Sequence, residues 1–238
     1  MKLAIIGYGK MGKVIEKVAL ERGHEIVLKV NRDNADQLRK GELNGAEAGI
    51  EFSRPESAVE NILSCFKHKL PIAVGTTGWY DQWDSVQKAC EENQGALVAA
   101  TNFSVGVNLF FELNKKLAEL MSKRSEYNAV IEETHHTEKL DSPSGTAITI
   151  AEGLIEKHSA YQKWENQQTE TDSTLDVISY REPEVPGTHT VTYDSPIDKI
   201  TIEHQAKNRE GFALGSVLAA EFLVGKTGIF QMKDVLKF

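Results

Sequence analysis

A short apolar run that ends in a glycine loop constrains what this chain can fold into more than any other feature. Residues 2–7 (KLAIIG) suit a buried parallel strand, and Gly7-Tyr8-Gly9-Lys10-Met11-Gly12 completes the loop. Val14, Ile15, Val18, Ala19 and Leu20 then recur at helical spacing, and residues 25–30 (EIVLKV) make a second apolar strand. Strand, GxGxxG, helix and strand within about thirty residues is the arrangement in which a helix N-terminus cradles a pyrophosphate. Gly7 then allows the tight turn, Gly9 lets backbone approach the phosphates, and Gly12 lets helix and strand pack closely. A glycine-rich turn alone would mean little. In this setting it predicts a dinucleotide site whose loop also presents Tyr8, Lys10 and Met11.

The end of the second strand is where an acid grips the ribose hydroxyls of NAD. Asn31 stands there, followed by Arg32. An amide hydrogen-bonds a hydroxyl without repelling a phosphate, and Arg32 and Lys10 can neutralise a 2′-phosphate. The expectation is a site that accepts NADPH or NADH, with NADPH favoured. The alternation continues with strands at 49–52, 71–75 and 96–100 and helices at 56–68 and 80–93. Gly75-Thr76-Thr77 and Ala100-Thr101-Asn102-Phe103 fall at carboxyl ends of strands, where a doubly wound sheet binds its ligands. The fold class predicted is α/β, opening with a Rossmann-type doubly wound parallel sheet.

After Phe103 the pattern changes. Residues 108–121 read as a long amphipathic helix, 127–133 (YNAVIEE) as a strand, and 146–158 as a helix with Ala147, Ile150, Ala151, Leu154 and Ile155 at helical spacing. Strand-like runs follow at 174–181, 189–193 and 199–204, the last two joined by a turn at 194–198. These describe a second α+β domain on an open mixed sheet. The apolar helix at 213–224, closed by Gly225, is expected to return to the first domain. The division predicted is 1–103 plus 211–238 for dinucleotide binding and 104–210 for substrate binding and oligomerisation.

Chemistry concentrates in residues 132–147 (EETHHTEKLDSPSGTA). His135 and His136 are adjacent, Lys139 lies four positions after the first, and Ser142-Pro143-Ser144-Gly145-Thr146 leads into the helix. Ser142 or Ser144 can cap that helix, so the amides of Gly145 and Thr146 would offer an anion site at the positive end of the dipole. Neighbouring residues on an extended chain point to opposite faces, so the two histidines are poorly placed to share an ion. Glu132, Glu133 and Asp141 could add oxygen ligands, but no HxxxH or HExxH spacing is present. No metal is expected.

The formal net charge of -8 argues against nucleic acid or an anionic membrane as partner, and leaves any anionic substrate to local cations such as Lys139. The sequence holds no apolar run of membrane-spanning length, opens without a signal-peptide pattern, and has only Cys65 and Cys90, read as reduced thiols. A cytoplasmic protein is expected.

The chain resembles the dihydrodipicolinate reductase family over nearly its full length. The resemblance rests on the glycine loop, FSRPE at 52–56, VGTTGW at 74–79, ATNFSVGVN at 100–108, HHTEKLDSPSGTA at 135–147, GTHTV at 187–191 and the tail GIFQMKDVL. It implies a two-domain subunit in a homotetramer built through the C-terminal sheets. It also implies reduction of the dianionic, cyclic condensation product of aspartate semialdehyde and pyruvate, with loss of water, to tetrahydrodipicolinate. Carried over by motif, His135 falls at the acid/base position and Lys139 at the proton-donor position. His136, Gly145 and Thr146, next to Ser144, fall at substrate-carboxylate positions. Gly7 to Gly12, Gly75 to Thr77 and Ala100 to Phe103 fall at cofactor positions. This chain departs from the family in three places: a glycine loop one residue shorter, Asn31 in place of the usual acid, and a short segment between Asn31 and Phe52 that implies a trimmed surface helix. From the residues alone, Lys139 can serve as acid, as carboxylate anchor, or as both. Other readings are a different two-domain reductase of amino-acid-derived imines or semialdehydes, which has no reason to join HHTEK to PSGT, and a nucleotide sensor without turnover.

Overall fold

Because a parallel sheet covered on both faces removes every side chain from water, the run KLAII becomes β1 (Lys2–Ile6), with Leu3, Ala4 and Ile5 fully buried. The computed structural model describes residues 1–238. In chain order α1 (Lys10–Glu21), β2 (Glu25–Val30), α2 (Ala35–Lys40), β3 (Ala48–Glu51), α3 (Pro55–Lys67), β4 (Ile72–Val74), α4 (Trp83–Glu92) and β5 (Ala96–Ala99) follow. Then come α5 (Val105–Met121), β6 (Asn128–His135), α6 (Gly145–Lys157), β7 (Lys163–Glu165), β8 (Thr174–Arg181), β9 (Thr188–Asp194) and β10 (Lys199–Gln205). The chain ends with α7 (Glu210–Leu223), β11 (Gly228–Phe230) and α8 (Met232–Leu236). The whole divides into two compact units, Met1–Val105 with Arg209–Phe238, and Gly106–Asn208.

The first unit is a parallel sheet in the order β11-β5-β4-β3-β1-β2. Ala4 and Ile6 pack with Ile62 and Phe66 of α3 and Val86 of α4 on one face, while Leu3 and Ile5 pack with Ile15 of α1 and Val217 of α7 on the other. Fully burying each of the larger side chains among these contributes about 1.5–3 kcal/mol. Helices on both faces make this the doubly wound sheet read from the alternation. Helix α7 does return to this unit, where Ala219 and Leu223 join the core of Val98 and Phe103.

The second unit holds a mixed sheet in the order β10-β9-β6-β8-β7, parallel where β8 meets β6 and β7, antiparallel where β9 meets β6 and β10. Phe110, Ala118 and Met121 of α5 and Ile150, Ala151 and Leu154 of α6 cover one face. The register along β6 alternates strictly, with Ala129, Ile131, Glu133 and His135 turned to the covered face and Val130, Glu132 and Thr134 to the other.

Four elements escaped the sequence reading. Helix α2 is six residues long and occupies the short segment after Asn31. β7 and β11 are three residues each and α8 five, too short for a hydrophobic period to show. Strand β6 also runs two residues beyond the expected end, so His135 closes a strand rather than standing in a loop.

Candidate active site

Register builds the centre of the second unit. Across β6 and β8, Glu133 lies beside Ser179 and His135 beside Arg181; across β6 and β9, Glu133 lies opposite His189. Alternation turns Glu133, His135 and His189 to the buried face, so one carboxylate, 1% exposed, sits among them. Its Oε1 accepts from the Ser179 hydroxyl at 2.8 Å and the Ser144 amide at 3.0 Å, with the Arg181 guanidinium at 3.4 Å. Its Oε2 faces His135 Nδ1 at 3.2 Å and His189 Nε2 at 3.7 Å. Burial would raise this carboxyl, but the facing imidazoles of His135 and His189 and the hydrogen bonds from Ser144 and Ser179 outweigh it and hold Glu133 well below the usual carboxylate range. A buried charge is tolerable only with such partners.

The same carboxylate fixes the mouth of α6. The Ser144 amide donates to Glu133, and the Ser144 hydroxyl accepts the Ala147 amide as the helix cap. Ser144, not Ser142, is therefore the cap. At 2% exposed, its hydroxyl is committed to the cap and to His189. Gly145 opens the helix, and a Cβ there would meet nothing within 4 Å, so the positive end of the dipole faces open space beside it. The preceding loop is tied down by Arg181 Nη2 donating to the Asp141 carbonyl at 2.6 Å and by Asn166 Nδ2 donating to Ser142 Oγ at 2.9 Å. Lys139 pairs with Asp141 at 2.8 Å and keeps 23% of its side chain exposed. His136, just past the end of β6, is half-buried. Gly187, at φ +150°, lies so close to His135 that a Cβ would stand 2.9 Å from the ring Nε2.

The structure thus brings His135 and the α6 mouth onto one buried carboxylate and sets Lys139 on the loop between them. Sequence reading missed Ser179, Arg181, Gly187 and His189, and treated Glu133 only as a possible oxygen ligand. The spacing of Glu133 and His135 was a usable signal, since a strand puts both on one face and a buried acid demands partners. The donor set Glu133, His135 and His189, with ligand atoms within 4.8 Å of one another, also departs from the metal argument, which had paired His135 with His136. Arg181 beside the same carboxylate supplies the positive charge a cation would otherwise bring.

Three imidazoles of this unit, those of buried His158 and His189 and of half-buried His204, are held below the ordinary histidine value by desolvation. As pH falls through about 6.5, the unfolded chain takes up protons that the folded unit refuses, so stability drops toward acid. Glu133, depressed in the fold, adds its own loss below about pH 4.3. We expect Tm to decline between about pH 7 and pH 5; a level or rising Tm across that window would contradict this account.

In the first unit the glycine loop has the shape its spacing predicts. A Cβ on Gly7, at φ +94°, would stand 2.1 Å from the Phe52 carbonyl oxygen, and one on Gly12 2.6 Å from the Gly7 oxygen. Gly9 faces open space and caps α1 with no side-chain bond, which suits backbone amides meeting a pyrophosphate. A cleft of about 420 Å³ runs along Gly9, Lys10, Met11, Gly75, Thr76 and Thr77. A second, of about 460 Å³, is lined by Tyr8, Asn31, Arg32, Arg39 and Arg54 among others. Arg39 and Arg54 were not foreseen. Of the residues expected to hold a dinucleotide, those of the glycine loop from Gly7 to Met11, Asn31, Arg32 and Gly75 to Thr77 line these two clefts, an arrangement that fits such a group, while Ala100 to Phe103 line neither.

Several side chains among them are spoken for. Asn31 Oδ1 accepts the Asp33 amide at 2.8 Å, holding its own turn. Tyr8 hydrogen-bonds Glu16, with Lys29 over its ring at 4.7 Å. Thr76 Oγ1 accepts the Ser53 amide at 2.8 Å, and Asn102 Oδ1 the Ser104 amide at 2.9 Å. Phe103 is a core residue packed on Phe52 with ring centroids 5.9 Å apart, which leaves only its backbone for a cofactor; Ala100 is half-buried and Thr101 exposed.

Two family models match the chain: one described as the N-terminus of dihydrodipicolinate reductase, over residues 1–103, and one as its C-terminus, over residues 106–236. The chain is similar to the 4-hydroxy-tetrahydrodipicolinate reductase of Christiangramia forsetii, 49% identical over 99% of this chain and 98% of the relative. It is 30% identical to that of Neisseria gonorrhoeae, over 99% of this chain and 97% of the relative. The solved structure of a dipicolinate-bound dihydrodipicolinate reductase from Paenisporosarcina sp. TG-14 shares the fold, with a TM-score of 0.75 at 21% identity over 97% of each chain. A probable dehydrogenase from Thermotoga maritima matches at a TM-score of 0.56 and 10% identity, over 99% of this chain and 92% of that one.

Proposed function

The chain belongs to the dihydrodipicolinate reductase family, and on that premise we propose which of its residues carry the reaction. It is an NAD(P)H-dependent oxidoreductase that reduces 4-hydroxy-tetrahydrodipicolinate to tetrahydrodipicolinate, with loss of water, in lysine and diaminopimelate biosynthesis. A reduced nicotinamide, when bound, supplies the hydride. Everything else must come from the protein.

The observation that carries the assignment is Glu133 tying His135 and the mouth of α6 to one point. The substrate is a dianion in a chain of net charge -8. Gly145 and Thr146, at the positive end of α6, receive one carboxylate, with His136 beside them. Lys139 exchanges Asp141 for the substrate. Hydride arrival moves negative charge onto a ring that already bears two carboxylates, and Lys139 and His135 offset it and supply the proton. His135 turns Nδ1 to Glu133, so Nε2 is the nitrogen that trades protons. Such general acid catalysis is typically worth about 10²–10⁴-fold.

For the cofactor, Gly7 to Gly12 cradle the pyrophosphate, Gly75 to Thr77 and Ala100 to Phe103 line the nicotinamide end, and NADPH is preferred. Asn31, whose oxygen holds its own turn, offers no carboxylate to repel a 2′-phosphate, and Arg32, Arg39 and Arg54 line the same cleft. The test is loss of reduced-nicotinamide absorbance with substrate generated in situ from aspartate semialdehyde and pyruvate. Turnover is expected with both cofactors and a higher kcat/KM for NADPH. No turnover with either would end the assignment, and a higher value for NADH would end the reading of the arginines. We further place the enzyme in the cytoplasm as a homotetramer joined through the face of the second sheet that α5 and α6 leave uncovered. A sedimentation mass other than four chains of 26.4 kDa would refute that assembly.

A further inference from the structure

His189 takes no part in the mechanism above, yet it is 4% exposed and shares the carboxylate that holds His135. Its Nε2 lies 3.2 Å from Ser144 Oγ and 3.7 Å from Glu133 Oε2, and its ring meets His135 edge-on at 5.0 Å. Its Nδ1 is buried with no hydrogen-bond partner. The charged and titratable groups around it are Glu133 and His135 on β6, Arg181 on β8 against the other carboxylate oxygen, and His204 on β10.

These contacts select one state of the ring. Both oxygens near the ring lie on its Nε2 side, Ser144 Oγ within hydrogen-bond distance and Glu133 Oε2 just beyond it, so we assign the proton to Nε2 and leave Nδ1 bare. A second proton would put an imidazolium beside Arg181 and His135 around a single buried carboxylate, and burial and His135 oppose it. A neutral ring, hydrogen-bonded at Nε2 to Ser144, therefore turns the positive end of its N–H dipole toward Oε2 from 3.7 Å and steadies that oxygen through space, leaving it aimed at His135 Nδ1.

We propose that His189 is a positioning residue for the reduction: through Glu133 Oε2 it sets the tautomer and proton affinity of His135, and through Ser144 it locks the α6 mouth to the same carboxylate. The proposal rests on His135 being the acid/base group. Without the donor, Oε2 carries more uncompensated charge toward His135, which then holds its proton more tightly and releases it less readily.

The test measures kcat and KM against pH for the full-length protein. His189→Leu should lower kcat roughly ten-fold, the low side of what a positioned proton-transfer partner contributes. KM should change little, and the imidazole limb of the kcat profile should move to higher pH by about half a unit or more, a roughly three-fold change in proton affinity. His189→Gln, whose amide nitrogen reaches the place of Nε2, should restore the limb; His189→Asn, whose amide reaches only the place of Nδ1, should not. If the leucine variant fails to fold, the Gln and Asn pair decides. A wild-type profile in both, or equal shifts in both, overturns the proposal. His135→Gln separates the two ideas: if it is inactive while the His189 variants behave as wild type, the acid/base assignment stands and only this inference falls. If His135→Gln turns over normally, the assignment itself falls.

Discussion

Lys139→Ala will lower kcat by about 10²–10⁴-fold, the range for a positioned general acid, while leaving the melting temperature nearly unchanged. The two halves of that expectation come from one geometry. Lys139 lies on the loop between β6 and α6, partly exposed, with Asp141 as its ion-pair partner at 2.8 Å. Surface pairs of this kind contribute about 0–1 kcal/mol, so removing one leaves the fold intact. In the proposed reaction the same ammonium is a cation facing a dianion beside a helix mouth, in a protein of net charge -8. His135→Ala should also cut kcat, with a smaller effect on KM, because its imidazole is held by Glu133 and Gly187 for proton traffic rather than for carboxylate capture. Steady-state kinetics with a melting curve for each variant is the check. Wild-type turnover in both would remove these residues from the chemistry.

Gly215→Ala will destabilise the first unit by about 3 kcal/mol or more, enough to cost much of the folded protein. A Cβ at Gly215 would stand 1.7 Å from the Phe103 carbonyl oxygen and 2.8 Å from its carbon, both backbone atoms. No rotamer relieves such a contact. Either α7 lifts off the sheet, exposing Val217, Ala219 and Leu223, or Phe103 moves and drags the Ala100–Phe103 loop with it. Gly9→Ala is the control with the same chemical change. Nothing lies within 4 Å of a Cβ at Gly9, so that variant should fold and melt as wild type while binding the dinucleotide less tightly, since the methyl stands where backbone must approach phosphate. Chemical denaturation and cofactor titration of both variants test the contrast. A Gly215→Ala protein as stable as wild type would mean that α7 does not pack against Phe103 as described.

Much of this was legible from the residues in order. The parallel strands, the glycine loop and the cap before α6 each depend on neighbours along the chain, and pattern and spacing reveal them. The open helix mouth at Gly145 could be read because Ser-Pro-Ser-Gly-Thr is a turn and cap whatever surrounds it. What was lost were pieces too short to show a period, such as α2 and β11, and side chains whose work depends on who faces them. Asn31 looks free to meet a ribose until its oxygen is found holding the Asp33 amide. Phe103 reads as a loop residue until its ring is found in the core.

By itself the sequence determined the two kinds of sheet, the helix mouth, the candidate acid and ammonium, and the family, because short-range pattern and motif suffice for each. Tertiary structure alone decided that Glu133 gathers His135, His189, Ser144, Ser179 and Arg181. That gathering follows from the register in which β8 and β9 pair with β6, and a shift of one residue would turn Glu133 and His135 to the opposite face of the sheet. Register is settled by which residues the helices bury on the covered face, a sum over contacts between segments distant in the chain, and no local stretch of residues carries it.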